Sequence, residues 1–419
     1  MKVLIKSTKI IDSRSSFHQK TRDILIDNSK IAEIASAINQ KVDREINIEN
    51  LHVSRGWFDS SICFGEPGYE ERETLENGLR VAAQSGFTGL ALNPDTLPVI
   101  DNQSAVKFLI NKTTTAATRL QPIGALTQGS KGEDLAEMFD MKQAGAVAFG
   151  DYKKPIKDPN LLKIALQYSR SFDALIQAYP NENALTKNAM VNEGEVSTQL
   201  GLKGMPAMAE ELQVNRDLEI LKYTGGKLHI PTISTAGSVE LIARAKEKGL
   251  DVTCSVAISN LFFTDEKLQE FDADFKVLPP LRTEEDRKAL IAGVESGVID
   301  MVTTDHRPVN IELKKLEFEH AEFGSIGLES AFGALNKLFG VEKAVELLTA
   351  GRARFGLESF ALKKGNKAEL SFFIPDLEYE FSEKDIFSQS KNSMFLKAKL
   401  KGKALGVFAN NQIIVKVND

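Results

Sequence analysis

The sequence contains little cysteine and no long apolar run. Cys63 and Cys254 are its only two cysteines in 419 residues, which is too few for a disulfide framework and fits a reducing compartment. No stretch approaches the roughly 18 to 20 consecutive apolar residues that a membrane-spanning helix needs. The first residues also lack an apolar segment followed by a small-residue cleavage site, so we expect no signal peptide. These absences predict a cytoplasmic protein without a membrane segment.

Histidine is scarce as well. The five histidines are His18, His52, His229, His306 and His320. None of them belongs to a His-x-His pair, which would point two imidazoles to one side of a strand, or to a His-x-x-x-His pair on one face of a helix. A zinc centre built mainly from histidine needs several imidazoles that converge on the metal. The sequence therefore argues against a histidine-rich zinc centre.

The chain carries no excess of basic residues. Lysine and arginine number 52 against 58 aspartates and glutamates, which gives a net charge of −6, and the two signs are mixed along the chain. Proteins that bind a phosphate backbone usually show a basic face. We therefore expect no nucleic-acid partner.

The two ends of the chain differ from its middle. Residues 2–53 and the residues after 357 consist of short β-rich runs separated by turn residues, which is typical of strands. In between, short apolar runs such as 87–92 and 228–234 alternate with longer amphipathic stretches such as 239–248. Strands that alternate with helices indicate βαβ units and a parallel sheet.

About eight such units fit a closed barrel, although periodicity alone does not exclude an open doubly wound sheet. We predict an α/β fold with two parts. Residues 54–357 form a (β/α)8 TIM-like barrel, and residues 1–53 plus 358–419 form one small β-sandwich domain built from both termini.

Four segments carry a resemblance to a known family. They are residues 55–68 (RGWFDSSICFGEPG), 193–210 (EGEVSTQLGLKGMPAMAE), 279–287 (PPLRTEEDR), and 304–306 (TDH) with 323–332 (FGSIGLESAF). Together, in this order and at these spacings, they resemble the long-chain dihydroorotases of the amidohydrolase superfamily. The resemblance covers essentially the whole chain and implies a barrel of the metal-dependent hydrolase type.

Members of that family use a binuclear zinc site at the C-terminal mouth of the barrel, where a metal-bound hydroxide opens dihydroorotate or, in reverse, closes carbamoyl aspartate. The resemblance implies that the former metal-ligand positions are Ser61, Cys63, Tyr152, Ala178 (or the adjacent Tyr179) and Thr232. It places former substrate positions at Gly65, Asp95 and Leu278. Among these family positions only Asp305 keeps the family residue.

The surviving candidates each have two interpretations. Asp305 is either a remaining general base or metal ligand, or an aspartate that supports a strand end, and we favour the structural role. Cys63 is either a soft zinc ligand or a small buried side chain that fills space, and again we favour the second. We expect His229 to pack away from the mouth and His306 to support its loop.

We therefore expect a non-catalytic homologue that has lost metal and substrate contacts together and needs no cofactor. The resemblance implies a scaffolding role with aspartate carbamoyltransferase or an active dihydroorotase as partner, and a homo-oligomer. One alternative is an active cyclic-amide hydrolase, of the dihydroorotase or hydantoinase class, with Asp305 as catalytic residue and a single metal held by Asp305 and Cys63. Another is a binding module whose emptied mouth holds a small ligand.

Overall fold

The computed structural model describes residues 1–416, so the last three residues of the predicted segment 358–419 lie outside the described residues. The N-terminal region forms short strands, as predicted. They are β1 (Lys2–Ile10), β2 (Thr21–Asp27), β3 (Lys30–Ala35), β4 (Arg44–Ile46) and β5 (His52–Arg55).

The middle of the chain alternates between strands and helices. Its strands are β6 (Trp57–Ile62), β7 (Phe87–Leu92), β8 (Arg119–Gly124), β9 (Ala148–Phe149), β10 (Leu175–Gln177), β11 (Val191–Asn192), β12 (Gly204–Met205), β13 (Lys227–Ile230), β14 (Val252–Ala257) and β15 (Met301–Thr303). The helices are α1 (Leu75–Gln84), α2 (Gln103–Thr113), α3 (Met138–Ala144), α4 (Pro159–Ser169), α5 (Glu195–Leu200), α6 (Ala207–Thr224), α7 (Ala236–Glu247), α8 (Ile258–Phe262), α9 (Glu284–Glu295), α10 (Ile311–Lys314), α11 (Ala331–Phe339) and α12 (Val341–Ala350). No helix within residues 1–416 is long and apolar enough to cross a membrane.

Helix starts follow local capping chemistry. The Thr283 side chain accepts a hydrogen bond from the backbone N–H of Asp286 at 3.2 Å, and three acidic residues occupy the first turn of α9. An oxygen cap satisfies an otherwise free N–H, and acidic side chains interact favourably with the positive end of the helix. Thr74 and Thr235 cap α1 and α7 in the same way.

Eight parallel strands form the barrel wall in the order β15-β14-β13-β10-β9-β8-β7-β6, while β11 and β12 pair separately. Within residues 1–416 no backbone ladder joins the two end strands, β15 and β6. The backbone N–H of Cys63 donates to the His306 carbonyl just beyond them at 2.8 Å, and side chains bridge the seam below. Asp59 on β6 accepts from the backbone N–H of Thr304 at 2.9 Å, and the Thr303 hydroxyl donates to the carbonyl of Ser61 at 2.9 Å. The predicted (β/α)8 barrel is confirmed.

The C-terminal strands are β16 (Leu370–Glu380), β17 (Lys399–Ala409) and β18 (Gln412–Val415). They join the N-terminal strands in one sheet, ordered β18-β17-β16-β5-β1-β2-β3 with β4 beside β1. Val53 pairs with Phe372 at the junction between the two ends of the chain, and both side chains are fully buried in a core separate from that of the barrel. The prediction of one β domain built from both termini is confirmed.

Two details concern boundaries. Strand β5 continues to Arg55, and the division at residues 53/54 and 357/358 stays a prediction. The predicted strand over 228–234 ends at Ile230. The chain leaves the wall there because Pro231 offers no backbone N–H and Thr232 adopts a left-handed backbone with φ 51°.

Candidate functional site

The mouth of the barrel lies where the parallel strands end, and a cavity of about 690 Å³ opens there. Because the loops after parallel strands meet at one end of a barrel, this is where active sites of the fold occur. Three of the residues assigned by the sequence, Asp95, Tyr152 and Leu278, line the cavity. The lysines and the arginine in its wall, Lys153, Lys154, Lys276 and Arg307, were not predicted as site residues.

Asp305 is held by an ion pair. Its Oδ2 accepts from the Nζ of Lys153 at 2.7 Å, and both side chains are about nine-tenths buried. Each residue has a left-handed backbone, with φ 48° for Asp305 and 54° for Lys153, which turns the two strand-end loops toward each other. Burial raises the pKa of Asp305, and the Lys153 ammonium opposes that rise.

Cys63 lies beside this pair and is fully buried. Burial and then the nearby Asp95 carboxylate raise the pKa of the Cys63 thiol far above its ordinary value. Because the thiolate is the form that binds metal, this cysteine is a poor ligand as it stands. The Tyr152 hydroxyl is buried nearby without a hydrogen-bond partner in the described chain, and burial and then the Asp305 carboxylate raise its pKa well above the ordinary value.

The other former ligand positions surround a much smaller space. Ser61, Thr232 and Tyr179 line a void of about 10 Å³, which is about the least that a single water needs. The Ser61 hydroxyl accepts from the Asn93 amide at 3.0 Å. Ala178 is buried and offers no side-chain donor.

We tested whether these residues fit the zinc pair that the resemblance implies. None of the positions supplies an imidazole, and the carboxylate of Asp305 already binds an ammonium group. Over residues 1–416 no three or more histidine, cysteine, aspartate or glutamate side chains are grouped closely enough to hold a metal ion. The donor set does not fit a binuclear zinc centre. A single ion on Asp305 and Cys63 would have to displace Lys153 and deprotonate a thiol of raised pKa.

Gly65 adopts a backbone conformation that leaves no room for a side chain. Its φ is +116°, and a Cβ added there would lie 2.5 Å from the carbonyl oxygen of Tyr69. No real Cβ tolerates such a distance, so the loop would have to move before any side chain could enter. An arginine that grips a substrate carboxylate from this position is incompatible with the loop as it is folded.

A second set of charges joins the loops above. The Nε of Arg307 lies 3.2 Å from Asp95 Oδ2, and Nη1 of Arg72 lies 3.8 Å from the same oxygen. Glu322 Oε2 lies 3.7 Å from Arg307 and 3.8 Å from Arg72. We call these four residues the mouth network. Arg72, Arg307 and Glu322 were not assigned by the sequence, since no spacing rule connects positions so far apart.

The remaining candidates have structural partners. Gly327 N–H donates to Nδ1 of the buried His306 at 3.2 Å, so this histidine supports the loop after β15, as expected. His229 lies away from the mouth but inside the barrel, where its ring packs against Phe355 and hydrogen-bonds to the hydroxyls of Thr253 and Ser255. Asp151, which precedes the former ligand position Tyr152, accepts from the backbone N–H of Leu126 at 2.9 Å and thus holds a neighbouring loop.

Comparison with known proteins gives a consistent result. A family model described as dihydro-orotase-like matches residues 53–238. A dihydroorotase from Pelotomaculum thermopropionicum is 36% identical over 423 residues, with 99% of each chain covered. A dihydroorotase from Thermoanaerobacter sp. is 37% identical over 409 residues, with 96% of this chain and 94% of the relative covered.

Solved structures share the whole fold. An L-hydantoinase (dihydropyrimidinase) from Arthrobacter aurescens superposes with a TM-score of 0.86 at 20% identity, over 100% of this chain and 96% of that chain. A D-hydantoinase superposes with a TM-score of 0.82 at 18% identity, over 99% and 95%. At these identities the likeness establishes the barrel with its β domain and leaves the reaction open.

Proposed function

The chain belongs to the dihydroorotase-like family of amidohydrolases. From that premise we propose that it is a homologue of the dihydroorotases of pyrimidine biosynthesis that has lost their catalytic activity. We propose further that it acts as a scaffold for aspartate carbamoyltransferase. One observation carries the proposal. Asp305, the family residue that remains, is bound by Lys153, and none of the former metal-ligand positions carries an imidazole.

The chemistry explains why this arrangement argues against turnover. Opening a cyclic amide needs an activated water, which a metal supplies by lowering the pKa of that water, or a base free to take its proton. The Lys153 ammonium occupies one oxygen of Asp305 at 2.7 Å and opposes the rise in pKa that burial causes, so this carboxylate is a weaker base than it would be without Lys153. The Lys153 charge stands where a metal would otherwise have to bind Asp305.

The direct experiment measures dihydroorotase activity of the purified chain in both directions, with added Zn²⁺ or Mn²⁺ and with a chelator as control. We expect no turnover above background under any of these conditions. A relative that keeps the zinc ligands serves as positive control in the same assay. Activity that disappears with the chelator would contradict the loss of catalysis.

An active cyclic-amide hydrolase with a single metal is the second candidate, and one observation favours it. The Oδ1 atom of Asp305 is buried and makes no hydrogen bond of ordinary length within residues 1–416, with the Tyr152 hydroxyl close enough to lower the pKa of this carboxyl. This candidate predicts stoichiometric bound metal, together with an Asp305→Ala variant that folds but does not react. A metal-free wild type without turnover would exclude it.

The outer surface of the barrel supports the scaffolding part of the proposal. Exposed apolar side chains lie on α4 and α6, where Ile164, Tyr168, Leu212 and Tyr223 are 42%, 44%, 50% and 78% exposed. A groove of about 740 Å³ runs past Leu212 and Tyr223. Clustered exposed apolar residues with a polar rim are typical of protein–protein interfaces.

The partner test is co-purification of the tagged chain with aspartate carbamoyltransferase. We expect Leu212→Glu with Tyr223→Glu to abolish the complex, because charges enter an apolar interface. Leu377→Glu is the matched control, since Leu377 is 45% exposed on β16, outside this surface. If the tagged chain co-purifies only with an active dihydroorotase, or only with further copies of itself, the proposal that aspartate carbamoyltransferase is the partner is wrong.

A further inference from the structure

We infer that Asp95 occupies, from within the chain, an anion site formed by Arg307 and Arg72, so that the mouth is closed to small carboxylates by its own side chain. The inference deepens the proposed function and rests on it, because a mouth that holds its own carboxylate is not arranged to receive a substrate. Once Asp95 is removed, the ligands that the mouth would bind are small carboxylates.

The first argument is the geometry around Asp95. Its Oδ2 atom faces two guanidinium groups, with Arg307 Nε at 3.2 Å and Arg72 Nη1 at 3.8 Å. Guanidinium groups present several N–H donors in a plane and are well suited to bind carboxylates. The Asp95 side chain therefore occupies the position in which the carboxylate of a bound ligand would contact the two guanidinium groups.

The second argument is burial. The side chains of Arg72 and Arg307 are only 9% and 15% exposed, and Nε of Arg72 has no hydrogen-bond partner in the described chain. Tyr69 stacks on the Arg72 guanidinium at 4.2 Å and keeps it in place. Charges withdrawn from water need a counter-charge, and the two guanidinium groups share the carboxylates of Asp95 and Glu322.

The third argument is access. Asp95 and Arg307 both line the cavity of about 690 Å³, together with Lys153 and Lys154. The Asp95 side chain is 28% exposed, so its place can be reached from solvent through the mouth. Removing this carboxylate would leave the two guanidinium groups with Glu322, which contacts both, and with Glu71, which contacts Arg72 alone from outside the cavity, and would add free volume next to them. A small carboxylate that enters the cavity can fill that place.

An external carboxylate competes poorly in the wild type. Asp95 is tethered beside the guanidinium groups, and a tethered group acts at a high effective concentration, on the order of millimolar or above. The wild type is therefore expected to bind small carboxylates weakly, whereas Asp95→Ala is expected to bind them at least about tenfold more tightly. The Asp95 side chain is therefore the group that excludes small carboxylates from this site.

The experiment titrates the purified full-length chain with succinate and malonate, and follows heat of binding and the melting temperature. We expect no saturable binding by the wild type and saturable binding by Asp95→Ala, with a melting temperature that rises with succinate, because a ligand that binds only the folded state stabilises it. The double variant Asp95→Ala/Arg307→Ala should show neither the saturable binding nor the rise in melting temperature. If Asp95→Ala does not fold, Asp95→Asn keeps the shape, removes the charge and is titrated in the same way.

The matched control is Glu71→Ala. Glu71 lies 3.9 Å from Nε of Arg72 but does not line the mouth cavity, so its loss changes the charge near Arg72 without emptying the site. Equal binding by the wild type and the Asp95 variants, or an equal gain in Glu71→Ala, would overturn the inference. The readout is binding and not turnover, so this result stays separate from the activity assay and the co-purification that test the proposed function.

Discussion

The seam between β6 and β15 and the mouth directly above it both include the ends of these two strands, yet they hold their carboxylates differently. Asp59 in the seam accepts from the backbone and hydroxyl groups of Thr303 and Thr304. Asp305 in the mouth has one ammonium partner, Lys153, and one oxygen without a hydrogen bond of ordinary length in the described residues. The carboxylate in the seam is hydrogen-bonded by neutral groups of the opposite end strand, whereas the carboxylate in the mouth depends on a charge from the loop after β9.

This difference separates the side chains that stabilise the barrel from the side chains that replaced the family residues in the mouth. Burial raises the pKa of Asp59 to about 6, in spite of four hydrogen bonds that oppose the rise, and the barrel retains this costly group because it joins the two end strands. In the mouth, pairs of opposite charges connect the loops instead. Side chains there can be exchanged for other charges while the wall below stays intact.

The largest effect is expected at the seam. Asp59→Ala leaves the N–H and the hydroxyl of Thr304 buried without an acceptor, whereas the Thr303 hydroxyl keeps the Ser61 carbonyl. We expect the free energy of unfolding to fall by roughly 3–5 kcal/mol. Urea denaturation measures this as a lower midpoint at an unchanged slope. Asp59→Asn, which keeps the shape and one acceptor, should lose less. A loss below that of the mouth variants would remove the contrast between the two regions.

The ion pair in the mouth should show the next largest effect. Lys153→Met leaves a buried carboxylate without its counter-charge, and we expect a loss of about 2–3 kcal/mol. Asp305→Asn should lose less, because the long Lys153 side chain can reach water. The double variant should be close to the wild type, since a neutral pair leaves no uncompensated charge. Strictly additive losses in this double-mutant cycle would show that the two charges do not interact.

A pH dependence should come from the wall beneath the mouth. Burial, followed by the charges of Arg354 and Lys246, lowers the pKa of His229 to about 3. The unfolded chain binds a proton near pH 6.5 and the folded chain does not, so stability is full above that pH and is lost as the pH falls toward 3. The expected slope approaches 1.4 kcal/mol per pH unit for this one group.

Denaturation of the wild type and His229→Gln at pH 7.5 and pH 5 isolates this contribution. Glutamine can keep hydrogen bonds to Thr253 and Ser255 but does not titrate. The variant should therefore lose about 2 kcal/mol less than the wild type between the two values of pH. Identical pH profiles would mean that His229 is protonated equally in the folded and unfolded chains.

The smallest effect is expected at the rim of the mouth network. Glu322 is 35% exposed and contacts Arg307 and Arg72 at 3.7 and 3.8 Å. Glu322→Gln should change the free energy of unfolding by less than about 1 kcal/mol, because exposed ion pairs are screened by solvent and salt. Repeating the measurement in about 1 M salt should reduce the difference further. A large, salt-independent loss would place Glu322 among the groups that hold the fold.

The fold could be predicted from the sequence further than the site could. The run 87–92 was predicted as a strand and is β7, because apolar period and turn residues are local properties. The end of β13 was placed too late, since apolar residues continue to Ile233 although Thr232 turns the chain. The replaced family positions, such as Ser61 and Cys63, were readable from the four matched segments. Their new partners were not.

The sequence by itself determined the alternation of strands and helices, the strand-rich ends of the chain and the absence of paired-histidine motifs, because each of these depends on residue type and short-range spacing. Only the tertiary structure decided that Lys153 meets Asp305 across 152 positions and that Arg307 meets Asp95 across 212. Closure of the barrel brings these loops to one mouth, and the low exposure there makes opposite charges pair. No local pattern in the chain encodes which charges become neighbours.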